Sequence, residues 1–263
     1  TQSLSLGGLT YGVTNMELTS AYASIANGGT YQKPVLYTKV VDHNGNILLS
    51  NTQKGKRVMK ESTAFLLTDA MKDVITKGTG KSAKLSSSMA VAGKSGTTSN
   101  SYDYWFSGYT PYHTASVWMG YDKNTNFASD NTHKKIWAKV MNEIIKTKQE
   151  QTTDFKKPAD IVKAKVCKES GKLAIKGVCD HDPRGSRVIT EYFEKGTVPT
   201  QTCDIHVAVE VCKTSDKLAT KNCPANKKQR KIYIVRKKGS HGKTADTPYM
   251  LPKKYQSVFC KKH

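Results

Sequence analysis

Four consecutive residues, Lys94-Ser95-Gly96-Thr97, combine side chains that could take part in acyl-transfer chemistry. The lysine can place a positive charge near a nucleophile, and the two hydroxyl groups can bind a substrate carboxylate. Gly96 has no side chain, so a peptide backbone can lie against it as an added strand. The triplet Lys-Ser-Gly alone is a weak signal, because a turn at a strand edge in a lysine-rich chain gives the same pattern.

The six cysteines are the second group of residues with potential chemistry, and the first 166 residues contain none of them. This segregation predicts a domain boundary and an oxidising, extracytoplasmic location. An internal repeat accounts for four of them, because residues 166–185 and 211–228 share the pattern V-C-K-x-S-x-K-L-A-x-K followed by a further cysteine. We interpret the repeat as two copies of one small, stapled unit.

Disulfide bonds are the expected use of these cysteines. A bridge within each copy, Cys167–Cys179 and Cys212–Cys223, would close a loop of about 12 residues and stabilise the unit by roughly 3 kcal/mol. Cys203 and Cys260 would then pair by elimination.

A zinc site is the alternative, because Cys203-Asp-Ile-His206 and Cys260-Lys-Lys-His263 are two Cys-x-x-His pairs that together offer four ligands. No Cys-x-x-Cys pair accompanies them. Disulfides are therefore the preferred interpretation, and no cofactor is expected.

Strand-like runs surround the Lys94–Thr97 segment and must position it. Their short connections predict an antiparallel sheet. A hairpin with a type I′ turn is predicted at Asn44-Gly45. The three runs are MAVAGKSGTT, DYWFSGYTP and TASVWMGYD. The aromatic residues of the second run are expected to pack within the sheet rather than to bind sugars or bases: Tyr102, Tyr104, Trp105, Phe106 and Tyr109.

Helical periodicity predicts three helices, over 16–27, 61–77 and 130–148. Ser129 or Asp130 is expected to cap the third helix. The apolar positions that we expect this helix to bury are Ile136, Trp137, Val140, Met141 and Ile144.

Charge and composition divide the chain into two parts. A polar, proline-containing segment, 149–160, reads as a linker between residues 1–150 and residues 151–263. The net charge is +21, with most of the excess in the second part, which would attract an anionic polymer or lipid. Nucleic acid is not an expected partner, because the chain has no basic helix with groove-facing residues and no aromatic RNA-binding motif.

Three blocks within residues 1–150 resemble one enzyme family in their order and spacing. They are LGG…YGVTNMELTSAYASIANGGTYQKP, VMKESTAFLLTDAMKDVITKGTGKSAK and AGKSGTTSNSYDYWFSGYTPYHTASVWMGYD. The sequence here resembles the transpeptidase domain of class A (bifunctional) penicillin-binding proteins. The resemblance implies a mixed α/β, serine β-lactamase-like fold with an antiparallel sheet flanked by helices. A small, β-rich, disulfide-stapled module would follow it.

The resemblance also implies roles for single residues. Lys94, Ser95 and Thr97 would be catalytic, with the Thr97 backbone N–H as half of an oxyanion hole, and Gly96 and Thr98 would bind substrate. The substrates would be peptidoglycan stem peptides that end in D-Ala-D-Ala, and β-lactams would acylate the same site.

Two further motifs of the family, Ser-x-x-Lys and Ser-x-Asn, should precede the Lys-Ser-Gly triplet. Two segments match them in letters only. Ser240-His-Gly-Lys243 lies in a basic, glycine-containing tail without the apolar helix that the nucleophile requires, and Ser129-Asp-Asn131 follows the triplet. The true motifs are expected before Thr1, in the missing N-terminal part of the same protein, so this chain alone should not acylate.

The predicted function is a peptidoglycan D,D-transpeptidase at the extracytoplasmic face of the membrane, anchored by a segment outside this chain. A D,D-carboxypeptidase or a β-lactamase is the alternative, with water as the acyl acceptor. Residues 151–263 could independently bind an anionic wall polymer.

Overall fold

The computed structural model describes residues 2–236 and 244–262 of the chain. The chain divides into two compact units, Thr1–Asp160 and Ile161–His263. The first unit contains all three α-helices of the described residues, whereas the second contains strands and short 3-10 turns. The α-helices are α1 Asn15–Ala26, α2 Glu61–Thr76 and α3 Thr132–Lys148. The 3-10 turns are Gln2–Leu6, Lys81–Ala83, Ser99–Ser101, Cys179–His181, Ala225–Lys227, Thr244–Tyr249 and Lys253–Tyr255.

Within the part of the chain that the structure describes, the strands form five small antiparallel sheets, which confirms the predicted mixed α/β architecture. Those of the first unit are β1 Thr30–Tyr31, β2 Lys39–Val41, β3 Ile47–Ser50, β4 Lys56–Arg57, β5 Ala92–Thr97, β6 Asp103–Tyr109 and β7 Thr114–Gly120. Those of the second are β8 Ile161–Cys167, β9 Val188–Glu194, β10 His206–Cys212, β11 Lys217–Leu218 and β12 Lys228–Ile234. Of the described residues, no helix is both long and apolar enough to cross a membrane.

The central sheet of the first unit has the order β5-β6-β7, so β5 lies at its edge. Aromatic residues of β6 pack into the hydrophobic core, as the sequence predicts. Phe106 is fully buried and meets the Trp137 ring of α3 edge-on at 5.2 Å between ring centroids. Tyr109 is also fully buried, and its hydroxyl bonds to Thr68 of α2 at 2.7 Å. These contacts fix the sheet between the helices.

Helix α3 buries part of the predicted apolar set, and Ile144 is partly buried against the same core. Trp137 and Met141 are fully buried, but Ile136 and Val140 are 42% and 47% exposed. The predicted cap is also wrong, because Asn131 occupies the N-cap position with a left-handed backbone (φ 71°) and no side-chain capping bond. Apolar residues on two adjacent faces made the sequence pattern ambiguous, and the sheet selects only one of them.

The predicted hairpin at Asn44-Gly45 forms, between β2 and β3, but its turn is not type I′. A type I′ turn needs positive φ at both central residues, and only Gly45 has it (φ 86°). Asp42 shapes the loop instead, because its carboxylate accepts hydrogen bonds from the backbone N–H groups of Asn44 and Asn46 at 2.9 and 2.8 Å.

The predicted linker 149–160 is attached to the first unit rather than extended. The Phe155 ring meets the Tyr109 ring at 5.4 Å, and the Asp154 carboxylate pairs with Lys72 at 2.7 Å. The polar composition of this segment does not indicate that Phe155 packs against the hydrophobic core.

The second unit is β-rich, but disulfide bonds do not staple it. All six cysteines are buried free thiols, so the predicted bridges Cys167–Cys179, Cys212–Cys223 and Cys203–Cys260 are not formed. They gather instead into two separate clusters, one with Cys203 and one with Cys260. The prediction of a Cys203–Cys260 bridge is therefore wrong. Backbone hydrogen bonds hold each of these two residues in its own copy of the repeat, where Cys203 N–H donates to Leu173 O and Cys260 N–H donates to Leu218 O, both at 2.8 Å.

Candidate active-site strand

Strand β5 carries the Lys-Ser-Gly triplet and places it at an open edge of the central sheet. It pairs with β6 on one side, with Lys94 opposite Ser107 and Gly96 opposite Trp105. Lys94 and Thr97 are exposed, whereas Ser95 and Gly96 are half-buried. An exposed strand edge with unpaired backbone groups can accept a peptide by strand addition.

Two of the candidate side chains are held by hydrogen bonds. The Lys94 ammonium group donates to the Ser95 carbonyl oxygen at 2.8 Å. The Ser95 hydroxyl bonds to the hydroxyl of Thr79, in the loop after α2, also at 2.8 Å. Ser95 is thus oriented by a second element, while the Lys94 charge stays at the surface.

Thr98 belongs to the turn that follows the strand. Its hydroxyl donates to the Asp103 carboxylate at 3.0 Å and accepts from the Asp103 backbone N–H at 2.9 Å. Asp103 also accepts a hydrogen bond from the Trp118 indole at 2.8 Å. These bonds lock the turn at the end of β5, so the Thr98 hydroxyl is engaged within the protein.

The two glycines of β5 differ in what surrounds them. A Cβ atom on Gly93 would lie 2.8 Å from the Ser107 carbonyl oxygen and 2.9 Å from the Gly108 Cα, which packing forbids. A Cβ atom on Gly96 would meet, among the described residues, only the Trp105 Cβ, at 3.4 Å. Internal packing therefore requires a glycine at position 93 but not at position 96.

Lys134 is a charged residue near the site, and it was not among the residues predicted from the sequence. It is buried in the first turn of α3 and donates to the Asn131 side chain at 2.7 Å. Burial, and then the positive charge of Lys94, lowers the pKa of Lys134. The sequence does not reveal this lowered pKa, because Lys94 comes close to Lys134 only when the chain is folded.

Ser129 lies at the start of α3, where its hydroxyl bonds to the His133 ring at 3.2 Å and accepts from the Asn131 backbone N–H. Burial, followed by the charge of Lys134, lowers the pKa of His133. Ser129 thus has a local structural role. Ser240 and Lys243 lie outside the described residues.

The zinc ligands predicted from the two Cys-x-x-His pairs do not come together. Cys203 and His206 lie with Cys167 and Cys179, whereas Cys260 lies with Cys212 and Cys223. His263 lies outside the described residues. The predicted ligand set Cys203, His206, Cys260, His263 is therefore wrong.

Comparison with known proteins gives the family of the first unit. Residues 1–146, more than half of the chain, match the family described as "Penicillin binding protein transpeptidase domain". The chain belongs to the penicillin-binding protein transpeptidase family. Residues 157–208 match a second family, "Penicillin-binding protein 1A, C-terminal domain", which covers the first cysteine cluster.

Curated penicillin-binding proteins resemble almost the whole chain. Penicillin-binding protein 1A of Clostridium botulinum is 36% identical over 95% of this chain and 30% of its own length. Penicillin-binding protein 2D of Bacillus subtilis is 34% identical over 86% of this chain and 32% of its own length. The chain thus spans about a third of the length of such relatives.

The solved structure of penicillin-binding protein 1A from Haemophilus influenzae shares the fold. It aligns with 73% of this chain and 33% of its own, with a TM-score of 0.58 and 23% sequence identity. The expectation that residues 1–150 adopt the penicillin-binding transpeptidase fold is confirmed.

Proposed function

We propose that β5 forms one wall of the active-site cleft of a peptidoglycan D,D-transpeptidase. In this proposal a serine nucleophile from an upstream Ser-x-x-Lys motif attacks the D-Ala-D-Ala bond of a stem peptide. The acyl group forms an ester with that serine, and the terminal D-Ala leaves with the proton. The amine of a neighbouring stem then attacks the ester and restores the serine.

Within this reaction, the residues of β5 bind and orient the substrate. The exposed Lys94 supplies positive charge beside the nucleophile, and the hydroxyl groups of Ser95 and Thr97 can bind the substrate carboxylate. The Thr97 backbone N–H would be one of two donors to the oxyanion, and one such donor contributes about 3 kcal/mol to transition-state stabilisation. Thr98 would support substrate binding by holding the turn at the end of the strand.

The observation that carries the proposal is Gly96. A glycine that internal packing does not require, on an open strand edge and beside an exposed lysine, is explained if a substrate backbone lies against it. The same cleft would react with β-lactams, which acylate the same serine.

Labelling with a fluorescent penicillin tests the proposal. We expect covalent labelling of the protein when it includes the upstream Ser-x-x-Lys and Ser-x-Asn motifs, and no labelling of residues 1–263 alone. A matched upstream-extended protein with the motif serine replaced by alanine serves as the control. Labelling of residues 1–263 alone would show that the nucleophile lies within this chain and would overturn the assignment.

The acceptor distinguishes the transpeptidase from a D,D-carboxypeptidase or β-lactamase. Incubation with a stem pentapeptide and an acceptor amine should give a cross-linked product whose mass contains both peptides. A product formed only by loss of D-Ala, with water as acceptor, would favour the hydrolytic alternatives.

The location and the role of the second unit belong to the same proposal. We place the enzyme at the extracytoplasmic face of the membrane, with an anchor outside this chain. The basic second unit would help to retain it near anionic wall polymers, because the chain carries a net charge of +21. Co-sedimentation with purified wall that is lost at high salt would support this role.

A further inference from the structure

Four buried side chains of the second unit converge on one point. The Sγ atoms of Cys167, Cys179 and Cys203 and one ring nitrogen of His206 all lie within 4.8 Å of one another. The His206 Nδ1 atom is 3.4 Å from Cys167 Sγ and 3.3 Å from Cys203 Sγ. In a tetrahedral zinc site, Zn–S bonds of about 2.3 Å and Zn–N bonds of about 2.0 Å place the ligand atoms about 3.5 to 3.8 Å apart. The observed spacing fits this geometry.

The orientation of the histidine ring supports a ligand role for Nδ1. The His206 Nε2 atom lies 2.6 Å from the Asp182 carboxylate, and both side chains are fully buried. A proton on Nε2 that is donated to Asp182 leaves the Nδ1 lone pair directed at the thiols. Histidine ligands of protein zinc sites usually donate their other ring N–H to a carboxylate in this way, which fixes the tautomer and the ring orientation.

Asp182 is itself held in place by Arg184. The guanidinium group donates to both carboxylate oxygens, at 2.9 and 2.7 Å, and the Arg184 backbone N–H donates at 2.7 Å. A backbone N–H of Ile175 also donates to Cys179 Sγ at 3.2 Å. The groups around the cluster thus orient its ligands and supply a hydrogen bond to sulfur.

The number of cysteines argues against disulfides as the alternative. Each cluster holds three thiols, so one bridge within a cluster would leave one buried cysteine over. The two cysteines left over lie in different clusters and cannot pair. A metal ion, in contrast, uses all three thiols and the histidine of the first cluster at once.

The second cluster repeats the construction of the first. The backbone bonds match: Leu173 N–H donates to Gln201 O, and Leu218 N–H donates to Val258 O. Thr220 N–H donates to Cys223 Sγ at 3.3 Å, as Ile175 does to Cys179. In sequence, Cys260-Lys-Lys-His263 repeats the spacing of Cys203-Asp-Ile-His206, although His263 lies outside the described residues.

We propose that Cys167, Cys179, Cys203 and His206 bind one structural zinc ion. Soft thiolates with one imidazole in a tetrahedral set select zinc over magnesium or calcium. Four protein ligands in a closed, buried site leave no open position for substrate, so the ion has a structural role. It joins the end of β8, the 3-10 turn at 179–181 and the start of β10 in a unit with a small hydrophobic core.

Metal analysis of the purified chain is the first test. We expect at least one equivalent of zinc per chain by inductively coupled plasma mass spectrometry. The cluster thiols should react with a chromogenic thiol reagent only slowly until a chelator is added. Replacement of zinc by Co²⁺ should give the visible bands of a tetrahedral ion and a thiolate charge-transfer band in the near ultraviolet. These measurements use the unmodified chain, so they do not depend on the folding of a variant.

Matched variants then assign the site. His206→Gln should lower the zinc content by one equivalent, whereas His181→Gln, at an exposed histidine close in sequence to Cys179, should leave it unchanged. Asp182→Asn keeps every ligand and should weaken zinc binding about 10- to 100-fold, as loss of the carboxylate that orients a ligating histidine does.

Two results would overturn the proposal. One is a chain that contains no metal and whose cysteines are either freely reactive or joined in a Cys167–Cys179 disulfide. The other is a zinc content that is the same in His206→Gln as in the unmodified chain.

Discussion

Gly93 and Gly96 lie three residues apart on β5, and their surroundings predict opposite consequences of adding a methyl group. Gly93→Ala should lower the free energy of unfolding by about 1–3 kcal/mol, the usual result of overpacking, because the new Cβ would overlap backbone atoms of β6. Gly96→Ala should change it by less than about 0.5 kcal/mol, yet should slow acylation in the complete protein. Chemical denaturation and β-lactam acylation rates check the pair. Equal destabilisation by both substitutions would contradict the distinction.

Lys94 is expected to act through its charge on the reacting groups. In the complete protein, Lys94→Ala should slow β-lactam acylation by roughly 10²–10³-fold, which is typical for loss of one group that stabilises the transition state. Lys139→Ala, at an exposed lysine of α3, is the control and should have no effect. Ser129→Ala should also leave acylation nearly unchanged, because Ser129 bonds to the start of α3. A strong loss with Ser129→Ala and none with Lys94→Ala would mean that the site is misassigned.

Helix α3 has apolar residues on two adjacent faces, and substitutions can show which of them forms the core. Trp137 is fully buried, packs on Phe106 and donates from its indole to Ala115 O at 3.0 Å. Trp137→Ala should therefore lower the free energy of unfolding by about 3–5 kcal/mol. Ile136→Ala, one residue away and 42% exposed, should cost less than about 1 kcal/mol. Similar values for the two variants in denaturant titrations would show that α3 is rotated.

The same helix shows why element existence is easier to predict than element packing. The sequence predicts a helix over 130–148, and the structure has one at Thr132–Lys148. Ile136, Val140 and Ile144 have the same helical spacing as Trp137, Met141 and Ile145, so periodicity alone does not choose between them. The contacts of Trp137 with the Phe106 ring of β6 and with the Ala115 carbonyl oxygen of β7 make the choice.

At the scale of the whole molecule, the two units should respond differently to metal removal. If zinc holds the second unit, a chelator should lower the unfolding temperature of that unit and leave the first unit's transition unchanged, because a structural metal contributes its binding free energy to folding. Calorimetry with and without chelator, followed by zinc readdition, provides the measurement. A single transition that the chelator does not move would contradict this prediction.

The family, the fold of the first unit and the position of Lys94 to Thr97 on a strand of its sheet were all predictable from the sequence. These follow from local information: a strand pattern, the Lys-Ser-Gly triplet and three blocks of sequence that resemble the family. The repeat at 166–185 and 211–228 was likewise visible in the sequence, and its two copies share their backbone hydrogen bonds.

The grouping of the cysteines follows from contacts that form on folding. In sequence, Cys203 is as free to join Cys260 as to join Cys167, because spacing says nothing about which distant strand ends meet. The hydrogen bond from Cys203 to Leu173 settles the matter by placing Cys203 and His206 beside the first pair of cysteines. The Asp182 carboxylate behind His206 and the open space at Gly96 are also properties of chain segments brought together by folding. Contacts between residues far apart in sequence have no local pattern, so the sequence alone did not predict them.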